Sequence, residues 1–294
     1  MSGIPVPPLQ TLLAAWHDSS HEQPRLLLLE GAAGIGKSHS LRAFAASGQD
    51  ALVLSTACAG WLSAALRAFH GRLESERDPG FLQAARSLTP DVSWAQVAHA
   101  PALTDQNALW MALAQAFERL ARRSGGLILL LEDAHDAGAD DLGALRVLYR
   151  RALLGKAPIM IALSAKPLAQ DLLEGFGQDA VIADGLVPQR LTLSSLDHNG
   201  VTALLCEHLH CEFLPDDLAA WLHARAEGHP LHTLELLRFL RDGGALRQAG
   251  TIWGIPSAER QGGATSTRVH PTGATLDGSG RCSGVVGHDG AGGD

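Results

Sequence analysis

The amino-acid sequence predicts an α/β fold: a mostly parallel sheet with helices on both faces, then a small helical lid domain and a disordered tail. Three observations carry that prediction. Short, wholly apolar runs alternate with segments whose apolar residues recur at helical spacing. A glycine-rich turn joins the first such run to the helix after it. Beyond residue 195 the alternation stops, leaving helical patterns to residue 256 and only Gly, Ser, Thr and Ala-rich sequence from 257 to 294. The expected divisions are therefore residues 1–195, 196–256 and 257–294.

Taken in order, Leu9, Leu12, Leu13 and Trp16 form one side of a short amphipathic helix from Pro8 to Trp16. Four leucines between Pro24 and Gly31 are too short for a buried helix and read as a fully buried parallel strand. The turn that follows, Gly31 to Ser38, fits G-x-x-x-x-G-K-[ST]. In that pattern backbone N–H groups wrap phosphate oxygens, the lysine reaches the outer phosphates and the hydroxyl binds Mg²⁺. The candidate binding residues are Gly31, Gly34, Ile35, Gly36, Lys37, Ser38 and His39. Lys37 to Ala46 continues as the helix whose positive end faces the anion, with Ser47-Gly48 as its stop.

Ala51 to Thr56 reads as the second strand and Trp61 to Leu73 as one helix. From Glu74 to Asp105, Pro79-Gly80, Pro90 and Pro101 interrupt weak patterns, so short helices and loops are expected. Thr104 or Asp105 then caps a helix striped by Leu109, Leu113, Ala116, Phe117 and Leu120. Leu127 to Leu131 is another buried strand, ending in Glu132 and Asp133. An acid in that place holds Mg²⁺ and its neighbour polarises the attacking water, so Glu132 and Asp133 take those roles. Asp140 to Leu154 is helical, Pro158 to Ser164 is a strand, a further helix runs to Phe176, and Gln189 to Leu193 is the last strand. Three helices and an Ala245 to Ile255 hairpin complete the pattern.

Composition narrows the function. A net charge of −8 on 294 residues lacks the basic face of a nucleic-acid-binding surface, so no direct DNA binding is expected from this chain. No apolar run approaches the ~20 residues of a membrane span, and Met1 to Gln10 lacks the layout of a signal peptide, which points away from the membrane and to the cytoplasm. Four irregularly spaced cysteines argue for reduced thiols. Cys206-Glu-His-Leu-His-Cys211 gathers two cysteines and two histidines on one expected helix, but it lacks Cys-x-x-Cys spacing and reads as packing. Arg150 and Arg151 read as dipole partners at a helix end rather than as an arginine finger, and His135 as a structural histidine rather than a polar relay.

These motifs together resemble the STAND-type, or Orc1-like, AAA ATPase modules of bacterial LuxR-type transcriptional regulators and cyclase-associated ATPases. The carriers are Gly31 to Ser38, Leu129 to His135, Ser164 to Pro167 and Ala226 to Leu231. The resemblance implies a P-loop NTPase (AAA-like) fold with ATP or ADP and Mg²⁺ as cofactors. It also implies that Pro230, in a Gly-x-Pro motif, packs near the nucleotide, and that Lys166 stands where the family places a sensor arginine. Ser38 and Glu132 would be the metal ligands, with Lys37, Glu132, Asp133 and Lys166 forming the catalytic set. The family's Gly-Arg-Glu opening is absent from Ile4 to Leu9, and its tryptophan after the second motif is Asp136 here. The abrupt change of composition from Gln261 onward reads as a truncated or frame-shifted regulator gene.

The expectation is an ATP-binding, slowly hydrolysing nucleotide switch in signal transduction and transcription regulation, acting on other protein domains or through self-association. The alternatives are a non-hydrolysing nucleotide-binding signalling module, a small-molecule P-loop kinase and an adenylyl cyclase. The lid has no arginine-rich segment, which disfavours the kinase, and no paired metal-binding cyclase domain is visible.

Overall fold

The computed structural model describes residues 7–20, 23–95, 105–167, 170–182, 187–211, 214–249 and 252–254. The expected disordered tail, 257–294, lies outside them, as do Thr104 and Pro101. The chain falls into two compact units, Met1–Asp197 with Glu227–His232, and His198–Ala226 with the chain from Thr233 on.

The first unit is built on five parallel strands: β1 (Arg25–Glu30), β2 (Leu52–Ala57), β3 (Leu127–Glu132), β4 (Ile159–Ala165) and β5 (Gln189–Thr192), in the order β2-β3-β4-β1-β5. Side chains alternate across a strand, so a strand buried on both faces must be apolar throughout. β3 and β4 meet that demand. Leu127, Leu129 and Leu131 face one core with Ile159, Ile161 and Leu163, while Ile128 and Leu130 face the other with Met160 and Ala162.

The larger core lies under α3 (Trp61–Ala68), α4 (His70–Leu73), α5 (Pro79–Leu88), α6 (Gln106–Arg123), α7 (Ala139–Gly155) and α8 (Gln170–Ile182). Trp61, Phe81, Phe117, Tyr149 and Phe176 fill it. The smaller core lies under α1 (Pro7–Ser20) and α2 (Lys37–Ala46), through Leu12, Trp16, Leu41 and Phe44. Burying one such side chain contributes about 1.5–3 kcal/mol, which is why the sheet is the most secure part of the unit.

Three local readings change. The helix expected from Trp61 to Leu73 is offset at Phe69, where φ −104° and ψ 11° leave helical geometry and allow both Phe69 and Leu73 to be buried. Pro79 starts a helix instead of interrupting one: the Asp78 side chain accepts from the Phe81 N–H at 2.7 Å, and a proline at the first helical position lacks only an N–H that would be unpartnered anyway. α1 runs on to Ser20, four residues past Trp16.

In the second unit α9 (His198–Leu209) packs on α10 (Asp216–Ala226), burying Val201, Leu205, Leu218 and Leu222. α11 (Pro230–Asp242) begins in the first unit and ends in the second. β6 (Arg247–Ala249) pairs antiparallel with β7 (Ile252–Gly254), the expected hairpin. No described helix is long and apolar enough to cross a membrane.

Candidate functional site

In an open parallel sheet a ligand sits at the carboxyl ends of the strands, where neighbouring connections diverge to opposite sides. Here that point lies between β1 and β4: the chain leaves β1 toward β2, whereas it leaves β4 toward β5. The loop after β1 and the ends of β3 and β4 therefore converge by topology.

Gly36 takes φ 106° and Gly34 φ 76°, left-handed conformations that reverse the chain tightly without a Cβ. Gly36 also precedes α2 and gives it no side-chain cap. The first N–H groups of α2 thus have neither a helical partner nor a capping side chain, and they point, with the helix dipole, into the turn. The carbonyls of the turn are taken up elsewhere. Lys37 Nζ donates to Gly31 O at 2.7 Å and to Ala32 O at 2.9 Å, His229 Nε2 lies 3.0 Å from Ala33 O, and the Leu231 N–H donates to Gly34 O at 3.3 Å. With its carbonyls engaged, the loop presents donors to the space it encloses, which is an anion cradle.

Burial pushes the Lys37 ammonium below its ordinary range; the negative charge of Asp133 acts against that and the positive charge of Lys166 adds to it. Lys37 therefore feels the charges of both Asp133 and Lys166. An anion seated in the loop would relieve the desolvated lysine.

The Ser38 hydroxyl donates to Glu132 Oε2, joining the start of α2 to the end of β3. One carboxylate and one hydroxyl side by side are hard oxygen donors of the kind Mg²⁺ takes, so the residues present fit the metal as they fit a phosphate. Asp133 follows with φ 55° and ψ 49°, a left-handed conformation uncommon for a non-glycine residue, and its N–H donates to Ser164 Oγ at 3.2 Å. That bond ties the second acid to the end of β4, the strand between the loop strand and the acid-bearing strand.

The structure places the remaining expected residues as follows. Ile35 is buried and donates its N–H to Ala32 O. The His39 and Lys166 side chains are exposed. Pro230 opens α11, half-buried, between the two residues that hold the loop carbonyls. Arg151 Nε lies 2.7 Å from Glu118 Oε2, a local ion pair. Both ring nitrogens of His135 are buried without a hydrogen-bond partner among the described residues.

Sequence reasoning assigned no role to Ser164 or to the His229–Leu231 clasp. The Gly-His-Pro signal pointed at the clasp, but at the proline and not its neighbours. Gly34 shows how close the approach is: a Cβ there would lie 2.6 Å from Leu231 Cβ.

No curated protein matches the chain in sequence. Among solved structures it is similar to the Walker-type ATPase PABY2304 of Pyrococcus abyssi, at 15% identity over 80% of this chain and 67% of that one, with a TM-score of 0.44. AMPPCP-bound DnaA from Aquifex aeolicus is similar at 12% identity, over 83% of this chain and 64% of that one, with a TM-score of 0.44. The ADP form of Aeropyrum pernix ORC2 gives 14%, 80%, 62% and 0.44. The chain thus spans about two thirds of the length of these relatives. The sequence profile of the AAA ATPase domain matches residues 7–161, from the start of α1 into β4, and with more than half of its length so matched the chain belongs to the AAA ATPase domain family.

Proposed function

We propose that the chain is an ATP-binding, slowly hydrolysing nucleotide switch of the STAND type. The observation that carries this is the meeting of Lys37, the Ser38–Glu132 pair and Asp133 at the fork between β1 and β4. The amides from Gly34 to His39 and the Lys37 ammonium bind the phosphates, with Gly31 opening the turn. Ser38 and Glu132 hold Mg²⁺, which when bound neutralises charge on the phosphate oxygens. Asp133, fixed by Ser164, accepts a hydrogen bond from the attacking water and takes its proton. Lys166 meets the outer phosphate as a point charge; lacking an arginine's fork, it holds that group less rigidly, which supports slow turnover.

Residues 1–195 form the ATPase domain in this reading and 196–256 the lid. Nucleotide state passes through Pro230 and α11, whose first residues belong to one unit and whose remainder belongs to the other. The output is a contact with other protein domains or a second copy of the chain.

Titration calorimetry with ATP and Mg²⁺ tests the cradle. Lys37→Ala should weaken binding at least tenfold, about 1.4 kcal/mol, and unchanged affinity refutes the assignment. Phosphate release tests the water. Asp133→Asn should retain binding and lose roughly a hundredfold or more in rate. If the wild-type chain binds ADP and releases no phosphate from ATP, the non-hydrolysing module is the correct reading.

A further inference from the structure

α9 ends in a chain reversal with a specific consequence for two side chains. His210 takes φ 51°, the left-handed conformation that stops a helix. Its N–H donates to Glu207 O at 3.3 Å, and the Cys211 N–H donates to Cys206 O at 3.0 Å. These nested bonds fold the second residue past the helix back over the last turn, where its side chain meets that of the residue five positions earlier. The site is ordinarily filled by two apolar groups. Here it holds two cysteines.

Both are reduced and half-buried, with the Cys211 side chain in hydrogen-bonding reach of Cys206. A direct backbone hydrogen bond between the two residues brings their Cα atoms into the range a disulfide needs, about 4.4–6.8 Å. The same reversal excludes the metal reading of the segment, since Cys211 lies beyond the end of α9, and no group of three or more metal-type side chains gathers among the described residues.

We propose that Cys206 and Cys211 are a redox-active dithiol that closes an intrachain disulfide across the end of α9, with a low-molecular-weight disulfide such as oxidised glutathione as oxidant. Burial, and then the neighbouring Cys211, raises the Cys206 pKa, which disfavours Cys206 as the opening nucleophile. The Cys211 thiolate attacks one sulfur of oxidised glutathione; a mixed disulfide forms, and the expelled glutathione thiolate takes up the proton that Cys211 gave. Cys206 then loses its proton and attacks the Cys211 sulfur, releasing the second glutathione. Two protein thiols are oxidised to one disulfide while one glutathione disulfide is reduced to two thiols. Cys58, fully buried, takes no part.

The test treats the full chain with oxidised glutathione and reads intact mass and peptide map. The expected result is a loss of two thiols and two hydrogens, a Cys206–Cys211 link and full reversal by dithiothreitol. Cys206→Ser should instead hold glutathione on Cys211, because nothing remains to displace it. If that variant fails to fold, Cys211→Ser should leave Cys206 unmodified and unlinked. A wild-type chain that keeps both thiols, carries separate glutathione adducts, or links either cysteine to Cys282 overturns the proposal.

Discussion

Single side chains in this protein do their work through where they are desolvated. Cys58 sits under the start of α3, its N–H donating to Glu132 O at 2.6 Å, and its thiol is pushed up from 9.0 to about 12, chiefly by burial and then by Asp141. The folded chain keeps this thiol neutral where the unfolded chain ionises it. Its contribution to stability is therefore whole below pH 9.0 and is lost as pH rises from there toward 12. Thermal melts at about pH 8 and about pH 11 should show a steeper loss for the wild-type chain than for Cys58→Ala; equal slopes would remove Cys58 from the alkaline transition. Tyr149, pushed from 10.0 to about 12 by burial, adds a smaller loss in both chains. Lys37 is the opposite case, a cation whose burial is offset only when an anion arrives.

At the scale of elements, the strands were the most legible features. Leu26 to Leu29 and Leu127 to Leu131 can only be strands buried on both faces, and their bounds followed from Gly31 and Glu132. Ends governed by side-chain caps were legible where the cap is local, as at Asp105, whose carboxylate accepts from the Asn107 N–H at 3.2 Å. They were not legible where a proline masks the cap before it. Pro79-Gly80 reads as an interruption when the capping carboxylate of Asp78 is left out of account, yet Pro79 is the start of α5. Asp78→Ala should lower the denaturation free energy by ~1 kcal/mol, measured by urea unfolding, and no change would mean that packing alone of Phe81 and Leu82 holds that helix. Within the site, the loop and the two acids were legible because their spacing is local. Ser164 and His229 were not, since their partners, Asp133 and Ala33, are brought to them by the sheet order and by a distant segment, and no periodicity encodes either.

The whole molecule consists of two compact units of which only the first holds the cradle. A ligand that binds the native state alone stabilises it by about 2.7 kcal/mol at a hundred times its dissociation constant. ADP with Mg²⁺ should therefore raise the melting temperature of the transition that reports Trp16 and Trp61, both in the first unit, by a few degrees. Tryptophan fluorescence and calorimetry check this, and a ligand-independent melt would argue against occupancy of the loop. The composition change after residue 256 had predicted a third region, and that region falls outside the described residues.

α11 joins these scales mechanically. Glu227 and Gly228, with φ 52° and 69°, turn the chain just before it, the Leu196 N–H donates to Gly228 O at 2.9 Å, and the clasp on Ala33 and Gly34 holds its first turn. Its 13 residues make a rod of about 20 Å at 1.5 Å per residue. One continuous helix thus carries both the residues that close on the loop and, roughly two turns beyond Leu231, the 72% exposed Phe239.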